Sequence, residues 1–132
     1  MIAAGIDAGT QSIKVIVYDS SSKEIIASHA EPLELIVGDG GVREQKASWW
    51  TDAVRKCFLA VPADIRKKIG VISVSGQQHG FVPVAADGSV LYSVKLWCDT
   101  STAPECYEIE EKLGGRKALS ERIGNPILPG YT

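Results

Sequence analysis

An α/β domain built on a mixed sheet is the fold class this sequence predicts, and three observations carry the prediction. Residues 2–8 and 12–18 are apolar runs on either side of a short polar turn, and residues 24–35 add a third extended run after a turn at 19–23. Strands so closely connected make an antiparallel meander. Residues 48–60 then place apolar side chains at helical spacing, and residues 69–75 form a short, nearly continuous apolar run.

The second strand carries the strongest signal. Ile13, Val15 and Val17 alternate with Ser12, Lys14 and Ile16, a period near two in β-branched residues that suits a pleated surface. Between the first two strands lies Asp7-Ala8-Gly9-Thr10-Gln11-Ser12. Gly9 is expected to take a positive φ, letting Thr10 to Ser12 turn back and aim N–H groups and hydroxyls at one point. Such a turn suits phosphate oxygens, and the carboxylate of Asp7 suits a hydrated Mg²⁺ riding on that phosphate. The plainer reading is a hairpin whose Asp7 and Thr10 cap the turn locally. Neither G-x-x-x-x-G-K nor G-x-G-x-x-G is present, so this is neither a Walker loop nor a dinucleotide fingerprint.

Pro32 in the third run points to an edge position or a strand end. Val37-Gly38-Asp39-Gly40-Gly41 reads as a glycine-rich loop. Ser48 is the expected N-cap of the next helix. On that helix Trp50, Ala53, Val54, Cys57 and Phe58 share one face, and Asp52, Arg55 and Lys56 take the other. Trp50 and Cys57 are expected to be packing residues. Pro62 breaks the helix. The run at 69–75 reads as a strand covered on both faces. It ends in Gly76-Gln77-Gln78-His79-Gly80, after which residues 81–85 form a strand, Asp87-Gly88 marks a hairpin, and residues 94–97 return. Ser101 or Thr102 caps a helix with Pro104 in its first turn, which stops at Gly114-Gly115. Residues 117–123 form a further helix ended by Gly124, and residues 125–132 stay extended or in turns.

Composition narrows the function classes. The 132 residues are 45% hydrophobic and 23% charged, a globular balance in a chain of single-domain length. A formal net charge of −2 with no Lys/Arg block argues against nucleic acid or an anionic membrane as partner. The N-terminus has no basic n-region, so no signal peptide is expected, and no apolar run reaches the length of a bilayer span. Three unevenly spaced cysteines, Cys57, Cys98 and Cys106, argue for a reducing compartment, the cytoplasm, and against a disulfide framework or a zinc site.

Two polar clusters sit at strand ends, at residues 76–80 and 97–102, where ligands gather in sheets of this kind. Gln77, Gln78 and His79 offer amide donors and acceptors and an imidazole between two glycines, which suits a polyhydroxylated substrate. Trp97 offers a flat apolar face for the C–H side of a sugar. Taken singly, His79 reads as a structural histidine, Trp97 as core, and Asp99 as a helix-entry carboxylate. Their joint placement downstream of a D-x-G-T turn favours a site.

The set I-D-A-G-T-Q-S-I-K, Glu44-Gln45 with Trp49-Trp50, S-G-Q-Q-H-G and W-C-D-T-S-T runs in order along essentially the whole chain. It resembles the N-terminal part of the FGGY carbohydrate kinases, and S-G-Q-Q-H-G with residues 97–106 is most similar to their xylulokinase branch. The βββαβ order is that of the ribonuclease H-like half shared by actin and the sugar kinases. The resemblance implies an α/β ribonuclease H-like domain with a mixed five-stranded sheet, an inserted hairpin and C-terminal helices. Residues 1–132 would be the N-terminal domain of a two-domain kinase.

The activity implied is transfer of the γ-phosphate of ATP, carried with Mg²⁺, to the terminal hydroxyl of D-xylulose, giving D-xylulose 5-phosphate. Asp7 then faces the metal and the γ-phosphate. Gly9, Thr10 and Gln11 form the first phosphate-contacting turn, with Lys14 near the phosphates. Gln78 and His79 hydrogen-bond the sugar, Trp97 and Asp99 line or border its pocket, and residues 125–131 continue the pocket wall. The general base and most of the adenosine site fall beyond Thr132, so the 132 residues alone are expected to be inactive. A homodimer is admitted as the assembly. Two other readings stay open: a family kinase for ribulose, gluconate or glycerol, and an actin-like nucleotide- or sugar-binding domain that transfers nothing.

Overall fold

The structure, a computed structural model, describes residues 1–130. In chain order its elements are β1 (Ile2–Ala8), β2 (Ser12–Asp19), β3 (Glu24–Pro32), β4 (Ile36–Val37), β5 (Arg43–Gln45), α1 (Ala47–Ala60), α2 (Ala63–Arg66), β6 (Ile69–Gly76), β7 (Val94–Lys95), α3 (Ala103–Lys112) and α4 (Gly115–Ile123). They form two compact units: Met1–Glu34 with Lys46–Gln77, and Leu35–Gln45 with the residues from Gln78 onward.

The first unit holds a four-stranded sheet in the order β3-β2-β1-β6. The meander β1-β2-β3 is antiparallel, and β6 returns parallel to β1. The α/β class and mixed sheet therefore stand as expected, but the strand count differs. In place of one five-stranded sheet there are this four-stranded sheet and a separate three-stranded one, β4-β5-β7, in the second unit. The strands of the second sheet are two or three residues long, and β5 is the polar Arg43-Glu44-Gln45, so no hydrophobic period announces them.

Alternation sets the core. Ile13, Val15 and Val17 are 0% exposed, and their neighbours on β2 turn to the other face. Ile6, Ile13 and Val15 pack against Ala53 and Cys57 of α1, with Trp50, Val54 and Phe58 alongside. Ala4, Val17 and Val61 form a second cluster. Each fully buried Val or Ile is worth about 1.5–3 kcal/mol, so a register slip that exposed this row would be prohibitive. The buried Cys57 thiol contacts the Ile13 carbonyl at 3.4 Å, and burial pushes its pKa up, which keeps it an inert packing group.

β3 ends at Pro32, as proline requires of a strand. The expected cap at Ser48 is not found: α1 begins at Ala47 after Lys46, with no side-chain cap bond, and the Ser48 carbonyl accepts from the Thr51 hydroxyl. At the other end of α1, Arg66 donates to the carbonyls of Phe58 (2.9 Å) and Leu59 (3.3 Å). Those acceptors belong to the last helical turn, where the Phe58 carbonyl also accepts from the Val61 N–H (3.2 Å).

β6 departs most from expectation. The run read as covered on both faces lies at the end of the sheet, and Val71, Ile72 and Val74 are 45%, 53% and 67% exposed. Helix α1 packs on β2 and β3 instead.

In the second unit, β5 pairs with both β4 and β7. The hairpin expected between residues 81 and 97 is reduced to isolated bridges, Phe81 with Lys95 and Val84 with Val90, around a turn where the Ser89 N–H donates to Asp87. Thr102 precedes α3 without a side-chain cap bond, and Pro104 lies in the first turn, where its missing N–H costs nothing. Helix α4 starts at Gly115, earlier than residue 117, and left-handed glycines follow both helices, Gly114 and Gly124. Among the described residues, no helix is long and apolar enough to cross a membrane.

Candidate functional site

In the first unit the sheet register delivers the opening turn. β1 places Asp7 opposite Lys14 on β2 and Ser75 on β6. Because Ala4 and Ile6 point into the core, Asp7 points to the other face of the sheet, where it is exposed; Lys14 and Gln11 are exposed too. The Gly9 N–H donates to the Ser12 carbonyl (3.1 Å) and closes the turn, and the Leu33 N–H donates to the Gln11 carbonyl (2.8 Å). Gly9 is not among the positive-φ residues, contrary to expectation. Crowding favours glycine here instead, since a Cβ would lie a tight 3.2 Å from the Ser12 carbonyl oxygen.

The end of β6 reaches the same turn. A Cβ on Gly76 would stand 3.0 Å from both the Cβ and the carbonyl oxygen of Ala8, so only glycine lets the two strand ends approach this closely. The Gln77 N–H then donates to the Ala8 carbonyl (2.9 Å), and the Thr10 hydroxyl donates to Gln77 Oε1 (2.9 Å). Sequence reasoning placed Gln77 with Gln78 and His79 in the sugar-facing cluster and did not connect it to the opening turn. The available signal was position: Gln77 follows the strand that lies parallel to β1.

The second unit holds a hollow of about 270 Å³ lined by His79, Phe81, Lys95, Leu96 and Asp99, with Thr102 and Gly130 completing its wall. His79 is exposed and sits at φ +61, in the left-handed region that non-glycine residues seldom occupy and that recurs at ligand-binding positions. The structure thus brings together two of the expected sugar-site residues, His79 and Asp99. Gln78 is exposed and Trp97 is 52% exposed, and neither is among the lining residues. A Cβ on Gly130 would collide with the Trp97 carbonyl, so the segment after α4 closes onto this loop. Tyr131, expected in the same wall, lies outside the described residues.

Asp99 is 2% exposed. Its carboxylate accepts from the Arg43 N–H (2.7 Å), the Ser101 N–H (3.0 Å) and the Ser101 hydroxyl (2.5 Å), and Lys95 Nζ stands 3.6 Å away. Burial works to raise its pKa, but these donors and the Lys95 ammonium outweigh it and hold the carboxyl below the usual aspartate value. Lys95 in turn donates to Ser101 Oγ (2.8 Å) and Glu44 Oε1 (3.3 Å). Lys95 and Phe81 escaped sequence reasoning because each reads as an ordinary strand residue.

Among the described residues, no three His, Cys, Asp or Glu side chains converge into a metal cage. Phosphate-bound Mg²⁺ does not need one: it keeps several waters and takes one or two carboxylates. The exposed carboxylate of Asp7 fits that donor set.

The profile of the FGGY family of carbohydrate kinases, N-terminal domain, matches residues 2–132. The chain is 39% identical over 135 residues to xylulose kinase of Haemophilus influenzae, covering 97% of this chain and 27% of that protein. It is 37% identical over 135 residues to xylulose kinase of Staphylococcus epidermidis, covering 99% and 26%. A solved xyloylose kinase from Brucella ovis superposes with a TM-score of 0.85 at 27% identity, covering 100% of this chain and 27% of that one. Gluconate kinase from Lactobacillus acidophilus superposes with a TM-score of 0.82 at 25% identity, covering 98% and 26%. The chain spans 27% of the length of the Haemophilus relative, about a quarter.

Proposed function

The chain belongs to the FGGY family of carbohydrate kinases, and on that premise we propose that it is the N-terminal domain of an ATP-dependent kinase for D-xylulose. The product is D-xylulose 5-phosphate. The observation that carries the reading is the turn after β1, where Asp7 is exposed near the strand end and the Thr10 hydroxyl that follows is braced by Gln77. The choice of sugar rests on likeness to the Haemophilus and Staphylococcus xylulose kinases.

Phosphoryl transfer asks a protein for charge neutralisation and in-line positioning more than for covalent chemistry. Asp7 would hold Mg²⁺ through its water shell; when bound, the ion neutralises charge on the phosphate oxygens. Gly9, Thr10 and Gln11 form the phosphate-contacting turn, and the Lys14 ammonium adds positive charge at the same level of the sheet. His79 and Gln78 hydrogen-bond the sugar hydroxyls, with Trp97 and Asp99 bordering the pocket. Because the carboxylate of Asp99 is already engaged by Arg43, Ser101 and Lys95, its part is to hold the 97–102 loop in shape. The base that deprotonates the attacking hydroxyl, and the adenosine site, are assigned to the remainder of the intact protein. The free thiols Cys57, Cys98 and Cys106 support a cytoplasmic setting.

The likeness to a gluconate kinase makes gluconate the alternative acceptor. A coupled assay of the intact protein with Mg·ATP against xylulose, ribulose, gluconate and glycerol is expected to give its highest kcat/KM on xylulose. A maximum on gluconate would overturn the choice of sugar. Asp7→Ala is expected to lower kcat by about 10²–10³-fold while sugar affinity changes little, because metal and phosphate charge count most in the transition state. Equal losses in sugar binding and turnover would remove Asp7 from the phosphate site.

A further inference from the structure

We propose that the ion pair between Lys95 and Glu44 sets the choice of acceptor in the hollow at His79, turning it toward uncharged sugars and against anionic ones. Lys95 lines the hollow, and Glu44 is a positioning residue that acts on it through Lys95. The inference rests on the reading of that hollow as the sugar site and adds the residues that set its charge.

Glu44 of β5 and Lys95 of β7 are direct partners across an antiparallel ladder. The backbone on either side is pinned as well: the Phe81 N–H donates to the Lys95 carbonyl (2.9 Å), and the Leu96 N–H donates to the Arg43 carbonyl (3.0 Å). The ammonium of Lys95 donates to Ser101 Oγ (2.8 Å) and Glu44 Oε1 (3.3 Å), and Asp99 Oδ1 stands 3.6 Å away. Ser101 gives its own hydroxyl proton to Asp99, so a lone pair is left for Lys95. Two of the three ammonium protons are thus engaged, and the positive charge lies between two carboxylates. Arg43, the neighbour of Glu44 on β5, turns to the other face of the strand, where its guanidinium donates to the Val42 carbonyl.

The consequence is a matter of charge. Two carboxylates and one ammonium leave the cluster with one net negative charge, and the side chains of Glu44 and Asp99 are only 19% and 2% exposed. A hollow of about 270 Å³ is on the order of 8 Å across, the Debye length at physiological salt, so a ligand charge anywhere in it feels the cluster. An aldonate carboxylate therefore meets a repulsion that an uncharged ketose does not, and discrimination by repulsion needs no added contact to the favoured sugar. With Glu44 neutral, Lys95 would face Asp99 alone and the cluster would carry no net charge. The choice between a ketose and gluconate then turns on one carboxylate of β5.

The test uses the intact protein, with D-xylonate, a five-carbon aldonate, as competitor against xylulose. The readout is the ratio of the xylonate inhibition constant to the xylulose KM, with melting temperature followed in parallel. For the unaltered protein the ratio is expected to fall about threefold between about 20 mM and about 500 mM KCl, because salt screens the repulsion. Glu44→Gln, which keeps an Oε1 acceptor for Lys95 and drops the charge, is expected to lower the ratio about tenfold at low salt and to flatten its salt dependence. Glu44→Asp keeps the charge and is expected to hold the ratio within about twofold. Lys95→Met, which leaves both carboxylates uncompensated, is expected to raise it. Opposite shifts from the two halves of one pair mark a charge effect, whereas lost shape would move both variants the same way. Shifts in the same direction, no inhibition by xylonate in Glu44→Gln, or a ratio that rises with salt in the unaltered protein would each overturn the proposal. The salt series decides alone if the melting temperatures show that a variant is unfolded. If His79→Ala leaves the xylulose KM unchanged, the sugar-site reading falls and takes this proposal with it. If His79→Ala raises that KM and Glu44→Gln leaves the ratio where it was, only the role of the pair falls.

Discussion

His79 combines an exposed imidazole with a backbone angle that its residue type avoids, φ +61. A left-handed residue with a Cβ costs about 1–2 kcal/mol, and such strain persists only where the flanking chain enforces it. The flanks do so here: the Gln77 N–H is tied to Ala8 before it, and the Phe81 N–H donates to the Lys95 carbonyl (2.9 Å) after it. His79→Ala in the intact protein is expected to raise the sugar KM roughly tenfold and to relax choice among ketoses, with the ATP KM within about twofold, measured by steady-state kinetics. His79→Gly should lose the same sugar binding yet melt higher than the Ala variant, since glycine holds this φ without strain. A shift confined to the ATP KM would remove His79 from the sugar site. The candidacy of Asp7 and His79 was legible in the sequence, because a carboxylate before a small turn and an imidazole between glycines are local patterns. The bond from Thr10 to Gln77 was not, because it exists only once β6 lies beside β1. The positive φ was placed on Gly9 by residue type, whereas the structure uses that glycine for clearance from Ser12 and puts the strain on His79.

At the scale of elements, charge ties the short sheet β4-β5-β7 to the loop after it, alongside the buried Val94 and Leu96. Asp99 links the Arg43 N–H of β5 to Ser101 and stands beside Lys95 of β7. Its folded pKa lies below the unfolded one, so its contribution is fully present above the unfolded value of about 3.9 and is lost as pH falls through the folded value. Thermal denaturation of wild type and Asp99→Asn between about pH 7 and pH 3 should therefore show a gap in Tm that is widest near neutrality and closes on the acid side. A gap independent of pH would mean that Asp99 is not held ionised by these donors. Elements of this kind are the ones sequence pattern reads least well. The alternation of Ile13, Val15 and Val17 and the helical face of Trp50, Ala53 and Cys57 gave correct elements, because many side chains repeat one instruction. A three-residue strand such as Arg43-Glu44-Gln45 repeats nothing, and the Asp87-Gly88 turn was recognised while its flanking strands shrank to single bridges.

At the scale of the whole molecule, the continuous apolar run of β6 reports how apolar the strand is, not what packs on it. β6 ends the sheet order, one of its edges pairing with β1, and Val71, Ile72 and Val74 are exposed beside the other. An apolar terminal strand with backbone donors and acceptors along its free edge is a template for pairing with another chain. The isolated 132-residue chain is therefore expected to associate in a concentration-dependent way, visible in sedimentation velocity at concentrations on the order of 100 µM. Val74→Lys places a charge on that strand and should shift the distribution toward monomer without unfolding the β1-β2-β3 meander, whose buried row it does not touch. A wild-type chain that stays monomeric over this range would show that the β6 edge is not adhesive. The same sample addresses the division of labour in the proposed kinase. The turn at Asp7 and the hollow at His79 both lie within these residues, but no group among them is assigned to deprotonate the sugar hydroxyl or to hold adenosine. No xylulose phosphorylation is thus expected from it in a coupled assay, even where Mg·ATP still binds weakly. Sustained turnover would place the general base inside residues 1–132 and overturn its assignment to the rest of the protein.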